Sequence, residues 1–154
     1  MLIRTGAEIR EEFIQRFGHK FETAELEQLQ ELWSSHQMTQ AAIRDSMLWF
    51  NFTLNAFGGS GSDCLLGMYG GEQIHMGIEL GTPIGKKLAS IGEPIIVKCA
   101  LDPLKVRTLI ENPWGKILVS SFHLSVEPEA FRIDQDGRVL DSVLPEDLVV
   151  EPAR

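Results

Sequence analysis

Apolar residues recur every three or four positions in the first third of the chain. Over residues 6–17 they form one stripe, and glutamates occupy the opposite side. The stripe comprises Ile9, Phe13, Ile14 and Phe17. This period is typical of an amphipathic helix that buries one face. Gly18 follows directly, and glycine commonly ends a helix. The pattern therefore predicts a first helix over residues 6–17.

A second stretch with the same period follows the glycine. Leu26, Leu29 and Trp33 repeat the helical spacing, and Thr23 stands before them as a candidate N-cap. Residues 37–45 continue with helical character after a break. We therefore predict a helical layer over residues 1–45.

The spacing changes to two at residue 46, in the segment SMLWFNFTLNAF. One face of this segment carries Leu48, Phe50, Phe52 and Leu54. Such alternation predicts a strand. The glycine-rich loop GGSGS follows, and Ser62 or Asp63 can cap the next helix. That helix is predicted over about residues 63–79, although Gly70 and Gly71 interrupt its pattern.

Further strand-like segments dominate the second half. They are GEPIIVKCALDP, GKILVSSFHLSV, EAFRIDQ and the terminal PEDLVV. A short helix is expected near residues 84–90, and Asp136-Gly137 is typical of a hairpin turn. Helices first and strands later predict one α+β domain over residues 1–154, with a sheet-containing core at residues 46–154. We expect a mixed, mostly antiparallel sheet with one or two further helices.

The charge balance limits the partners that the chain can bind. Fourteen basic and 22 acidic side chains give a net charge of −8, and no run of Lys or Arg stands out. A general nucleic-acid-binding surface is not expected, because it needs clustered cations. No segment reads as a signal peptide or approaches the roughly 20 apolar residues of a membrane span. We expect a cytoplasmic protein without membrane contact, in which Cys64 and Cys99 are reduced thiols.

Residues 58–81, GGSGSDCLLGMYGGEQIHMGIELG, carry the strongest candidate for a site. A Walker loop needs a lysine after its glycines, and a dinucleotide fingerprint needs a third glycine at fixed spacing; this loop has neither. The helix beyond the loop would place Glu72, His75 and Glu79 on one face. Glu-x-x-His is half of a di-iron motif, but no second copy exists, so no metal is expected.

Acidic residues provide candidates for proton transfer and charge stabilisation. A buried Glu72 behind the glycine loop would suit proton transfer. Glu127 and Glu129 flank a proline, and paired acids of this kind can stabilise a positively charged sugar centre. Each of these acids fits a solvated position equally well.

From residue 46 onward, the order of elements resembles the compact ADP-ribosyltransferase fold. The resemblance rests on the aromatic strand MLWFNFTL, the helix near residues 63–79, the apolar strand EPIIVKCALDP, an acidic strand with Glu129 or Glu127, and the closing LPEDLVV. It implies a cleft that binds NAD and a glutamate that orients the ribose and activates the acceptor. Tyr69 would be the nicotinamide-stacking tyrosine. The family's His-Gly-Thr strand has no counterpart, since His19 in GHKFET lies among predicted helices.

A second resemblance groups the candidate residues. RDSMLWF followed by YGGEQIH is similar to a pattern in small uncharacterised bacterial proteins. The two segments together supply Arg44, Trp49, Tyr69, Gly70, Gly71 and Glu72. In this cluster Arg44 would bind an anionic group and Glu72 would act as acid or base. The rings of Trp49 and Tyr69 would stack on a ligand. Asn51 is a further candidate for ligand binding, and His75 and Glu129 are further candidates for catalysis.

Three functions remain open. The chain is predicted to be an enzyme or toxin of the ADP-ribosyltransferase type that uses NAD or a related nucleotide. Alternatively, it is a non-catalytic, immunity- or antitoxin-like module whose acidic surface binds a basic protein partner. In the third case it is a structural subunit or homodimer in which GGEQIH belongs to the core and Glu72 is paired internally.

Overall fold

The computed structural model describes residues 1–35, 39–54, 57, 60–131, 133 and 136–153. The helices in this part are α1 (Gly6–Phe17), α2 (Thr23–Ser34), α3 (Thr39–Ile43), α4 (Ser60–Gly67), α5 (Gly71–His75), α6 (Pro83–Ala89) and α7 (Pro113–Val126). The strands are β1 (Leu48–Asn51), β2 (Ile95–Cys99), β3 (Arg107–Thr108), β4 (Asp136–Val139) and β5 (Leu148–Pro152). The predicted α+β class is confirmed, and the described residues after position 46 contain four helices rather than the one or two predicted.

The two long N-terminal helices form as predicted, with one difference in how α2 begins. Thr5 caps α1: its hydroxyl accepts a hydrogen bond from the Glu8 amide at 3.1 Å, and the Glu8 carboxylate accepts one from the Thr5 amide at 2.7 Å. The hydrogen bonds that the Glu8 carboxylate accepts from the Thr5 amide and the Thr5 hydroxyl lower the pKa of Glu8. Glu22, not Thr23, is the N-cap of α2, where it forms the same reciprocal arrangement with Glu25. The side chain of Glu22 therefore takes the capping position that the sequence predicted for Thr23.

The helical core joins the N-terminal layer to a later part of the chain. Its buried members are Phe13, Phe21, Leu29, Met68, Ile74, Ile84, Leu88 and Ile91. The last five come from residues 68–91, so α5 and α6 pack on α1 and α2 rather than on the sheets. The helical layer therefore extends beyond the predicted residues 1–45.

Two glycines break the long helix predicted over residues 63–79. Gly70 has φ +93° and Gly71 has φ +59°, which are left-handed conformations that residues with a Cβ rarely adopt. A Cβ on Gly70 would also lie 2.3 Å from the Cγ1 atom of buried Ile74. The chain consequently turns between α4 and α5, and the prediction of one continuous helix is wrong. Ser62 and Asp63, the predicted caps, lie inside α4.

The segment GKILVSSFHLSV is a helix and not the predicted strand. Asn112 precedes it as N-cap and Pro113 occupies the first helical position, where a proline loses no hydrogen bond. Much of α7 remains exposed, including Leu118 at 72% and Phe122 at 68%. An apolar run without a clear period of two was compatible with either element.

The strands form two separate antiparallel sheets. One sheet has the order β1-β4-β3, and the other pairs β2 with β5. Asp136 and Gly137 belong to β4, opposite Asn51 and Phe50, so the predicted hairpin turn at these two residues is wrong. The terminal strand β5 forms as predicted. No helix in the described part of the chain is long and apolar enough to cross a membrane.

Candidate functional site

An ion pair between Arg44 and Glu72 forms the centre of the candidate cluster. Arg44 follows α3 directly, and its Nη1 atom donates a hydrogen bond to the Glu72 carboxylate. The two side chains are 36% and 26% exposed, respectively. Glu72 is therefore neither a free solvated acid nor a deeply buried one. Its carboxylate is engaged by a guanidinium.

Hydrogen bonds between side chains and backbone carbonyl groups fix the position of α5, and therefore of Glu72. Arg10 of α1 donates to the Gln73 carbonyl at 3.0 Å, and Trp33 of α2 donates its indole N–H to the Ile74 carbonyl at 3.0 Å. The Gln73 side chain donates to the Ala41 carbonyl of α3 at 2.7 Å. A five-residue helix is too short to be stable alone. Three other helices hold it in place.

Trp49 lies beside two guanidinium groups. The Arg44 guanidinium carbon is 5.1 Å from the centre of the indole ring, and that of Arg138 is 5.3 Å away. Both distances suit a cation–π interaction. The indole N–H is buried and has no hydrogen-bond partner in the structure as described. The structure thus brings Arg44, Trp49 and Glu72 together, as the sequence grouped them, and adds Arg138.

Arg107 and Arg138 form a pair of cations that the sequence did not reveal. They lie directly opposite each other on β3 and β4, and Trp49 lies opposite Arg138 on β1. Directly opposed residues project from the same sheet face, and like charges at such positions repel each other. Across residues 1–35, 39–54, 57, 60–131, 133 and 136–153, neither guanidinium forms an ion pair with a carboxylate. The row Trp49–Arg138–Arg107 therefore places two cations next to each other on one sheet face.

Tyr69 lies apart from this row. Its ring packs against Phe17 with centroids 4.8 Å apart and against Phe13 at 6.0 Å. Gly70 and Gly71, which the sequence also assigned to ligand binding, form the turn into α5. The tyrosine therefore belongs to the aromatic part of the helical core.

His75 is buried at the end of α5, with 5% of its surface exposed. Burial lowers the pKa of its imidazole, while a hydrogen bond to its own backbone and the nearby Glu72 charge act in the opposite direction. The Nε2 atom has no described hydrogen-bond partner. Because α5 ends at His75, Glu79 does not share a helical face with it. A neutral, enclosed imidazole is a poor proton exchanger with a bound ligand.

Glu129 lies in the turn after α7 and is exposed. Its backbone N–H donates to the Glu127 carboxylate at 3.3 Å, so the pair does not project from a strand as predicted. Helix α7 has 14 residues, and at 1.5 Å per residue it spans about 20 Å. Trp114 lies in the first turn of this helix, and Glu129 lies just beyond its other end. No contact in the described part joins Glu129 to the Arg44–Trp49–Glu72 cluster.

A cavity of about 540 Å³ lies between β1 and β2. It is lined by every residue from 49 to 54 and from 96 to 99. Each strand is paired on one edge only among the described strands: β1 with β4, and β2 with β5. Both strands thus line the cavity, and each has one edge that no described strand pairs.

Aromatic side chains line much of the cavity wall. The rings of Phe52 and Trp114 pack with centroids 4.7 Å apart, and Trp49, Phe50 and Phe57 are further lining residues. Asn51, Lys98 and Cys99 contribute polar groups. Burial raises the pKa of the Cys99 thiol. None of the described lining residues is acidic.

Comparison with family models, curated proteins and solved structures found no match. Among the described residues, no three His, Cys, Asp or Glu side chains come close enough together to hold a metal ion. The function is therefore argued from the geometry of the site.

Proposed function

We propose that the chain binds a nucleotide of the NAD class in the cavity between β1 and β2. The observation that carries this proposal is an aromatic cavity of about 540 Å³ that is lined by two strands, each with one edge that no described strand pairs. This volume lies within the range typical of small-molecule sites. Planar rings stack well on aromatic walls, and free strand edges offer both hydrogen-bond donors and acceptors.

The arginine row extends the proposed site to phosphate groups. Trp49 lines the cavity and also contacts Arg138. Neighbouring strands lie about 4.8 Å apart, so Arg138 and Arg107 stand roughly 5 and 10 Å from β1. A ring in the cavity could therefore place its attached phosphates over Arg138 and Arg107. Guanidinium groups bind phosphate oxygens through paired hydrogen bonds.

The proposed reaction is ADP-ribosyl transfer. The bond between the ribose C1′ atom and nicotinamide would break with its electron pair leaving on nicotinamide, while an acceptor atom would bond to C1′ and lose its proton. This step is supported by the resemblance to the ADP-ribosyltransferase fold, and binding is supported by the geometry. Glu72, whose carboxylate binds Arg44 beside Trp49, stays the candidate catalytic acid, whereas Glu129 lies beyond the far end of α7 from the cavity residue Trp114. In its present arrangement Glu72 positions Arg44 beside Trp49.

A thermal-shift assay with NAD, ADP-ribose and AMP tests the binding. Ligand at a hundred times its dissociation constant stabilises the folded chain by about 2.7 kcal/mol, which raises the Tm by several degrees at this size. We expect Arg138→Gln to reduce the shift. Arg16→Gln is the matched control, because Arg16 also lies 5.3 Å from an aromatic ring, that of Phe17, but away from the cavity. Equal shifts in both variants would contradict the phosphate assignment.

Nicotinamide release from NAD tests the reaction separately. We expect release in the wild type and its loss in Glu72→Gln, with ligand-induced thermal shifts kept. A protein that binds ADP-ribose but never releases nicotinamide would retain the proposed binding function and lose the proposed enzymatic one.

A further inference from the structure

A second cavity lies on the helical layer, away from the sheets. It has a volume of about 840 Å³ and runs between α2 and the segment of residues 77–84. Its apolar lining consists of Leu29, Leu32, Ile78, Pro83 and Ile84. Leu29 and Ile84 are core residues, with 1% and 5% of their surfaces exposed. The groove therefore has a rigid apolar floor built on the helical core.

Acidic side chains surround this floor. Glu25, Glu31 and Glu79 line the groove, and no Lys or Arg does. Lys87 reaches Glu25 from outside the lining, with 2.5 Å between its Nζ atom and the carboxylate. Within the described part of the chain, Glu31 and Glu79 form no ion pair. The charge around the groove is therefore negative and largely uncompensated.

We propose that this groove binds an amphipathic helical segment of a partner protein, with apolar side chains on the inner face and Lys or Arg along its flanks. The apolar floor accepts the inner face of such a helix in the way that hydrophobic grooves bind helical ligands. Helix α2, which forms one wall, has 12 residues and is about 18 Å long. It can accompany three turns of a bound helix.

The negative charge around the groove favours an amphipathic helix with basic flanks over helices with neutral or acidic flanks. Glu31 and Glu79 attract cationic flanks, while the net charge of −8 repels acidic segments and anionic lipid surfaces. Attraction of this kind mainly raises the association rate and weakens as salt is added. The partner is therefore a basic protein segment and not a membrane.

Fluorescence anisotropy with labelled model peptides tests the proposal. The probe is a 14-residue amphipathic helix of Leu and Lys, and its matched peptides replace every Lys by Glu or by Gln. We expect the Lys peptide to bind most tightly, the Gln peptide more weakly and the Glu peptide least. Its affinity should fall steadily as the NaCl concentration rises from 50 to 500 mM.

Two double variants locate the binding. In Glu31→Gln with Glu79→Gln, the Lys peptide should bind about three- to tenfold more weakly, since exposed ion pairs each contribute little to affinity. In the control, Glu27→Gln with Glu146→Gln, the net charge changes equally on exposed glutamates outside the groove, and affinity should stay unchanged. Melting curves check that both variants fold.

Three results would overturn the proposal. They are no binding of the Lys peptide, equal binding of the Lys and Glu peptides, and equal weakening by the two double variants. Leu32→Ala removes part of the apolar floor without changing the charge. It should weaken the Lys and Gln peptides by the same factor if the floor contacts them.

Discussion

The Arg44–Glu72 ion pair makes a specific prediction about stability. Replacing Glu72 by glutamine keeps the size of the side chain and removes its charge. Arg44 then loses the anion that holds it, while its contact with Trp49 at 5.1 Å remains available. The opposite replacement, Arg44→Gln, removes both the ion pair and the contact with the indole. The two variants should therefore differ in cost.

The exposure of the pair sets the magnitude. With 36% and 26% of the side-chain surfaces exposed, the pair lies between surface pairs, worth 0.2–1 kcal/mol, and buried pairs, whose disruption costs 3–5 kcal/mol. We expect Glu72→Gln to cost about 1 kcal/mol. Arg44→Gln should cost roughly 0.5–1 kcal/mol more, because it also loses the cation–π contact. At this chain length, 1 kcal/mol lowers the Tm by about 2–4 °C.

A double-mutant cycle followed by thermal and urea unfolding measures both values. The combined variant Arg44→Gln with Glu72→Gln should be more stable than the sum of the single losses predicts, because the pair is lost only once. An additive cycle would refute the reasoning. So would a Glu72→Gln variant that melts like the wild type, since Glu72 would then be free for another role.

Three further properties can be measured on the same protein. Because burial lowers the pKa of His75, the unfolded chain binds a proton at higher pH than the folded chain does, and the stability should fall as the pH drops below about 6.5. In melting curves from pH 7.5 to 5.0, His75→Gln should flatten this dependence of stability on pH. An unchanged dependence would exclude His75 as its cause. Gly85→Ala should destabilise the fold by roughly 1–3 kcal/mol, since its Cβ would lie 2.2 Å from the Glu79 carbonyl oxygen. Gly115→Ala, in α7 with open space around its Cβ, should instead gain up to about 1 kcal/mol, and equal effects in urea unfolding would contradict this contrast. In a Cys64→Ser background, Cys99 should react slowly with N-ethylmaleimide at pH 7.5, because burial raises the pKa of its thiol. Since Cys99 lines the cavity, ADP-ribose should slow this reaction further. If neither NAD, ADP-ribose nor AMP protects Cys99, the result counts against nucleotide binding in the cavity.

The helices of the first third could be predicted because their signal is local. The stripe of α1 placed Phe13 on the buried face, and the stripe of α2 placed Leu29 there; the two residues are 2% and 1% exposed. The same logic failed at α7, where apolar residues occur on all sides. Asn112 followed by Pro113 is a pattern typical of a helix start, and it indicates α7 although the following apolar run resembles a strand.

The candidate site was only partly predictable because it depends on strand register. Arg44, Trp49 and Glu72 could be grouped from nearby sequence segments. Arg107 and Arg138 meet only through pairing of β3 with β4, which are separated by the whole of α7. Interpreting Asp136-Gly137 as a turn put Arg138 at the start of a strand, whereas it lies inside β4. Register between distant strands is not encoded in local periodicity.

The cavity likewise comes from two distant segments. Residues 49–54 and 96–99 each looked like ordinary strands, and nothing local indicates that they line the same cavity. Trp114 joins the wall from the start of α7, where the sequence predicted a strand. The sequence therefore supplied the aromatic residues of the site but not their arrangement.

Isothermal titration of the wild type with ADP-ribose, beside Trp114→Ala, tests the central claim most directly. Trp114 lines the cavity, and Phe122→Ala is the matched control, because it removes an exposed ring from the same helix outside the cavity. Stacking of a base on an aromatic side chain contributes about 1–3 kcal/mol, so Trp114→Ala should weaken binding roughly tenfold or more. The account predicts saturable one-to-one binding that Trp114→Ala weakens and Phe122→Ala leaves intact. Absence of binding to the wild type, or equal binding to all three proteins, would contradict it.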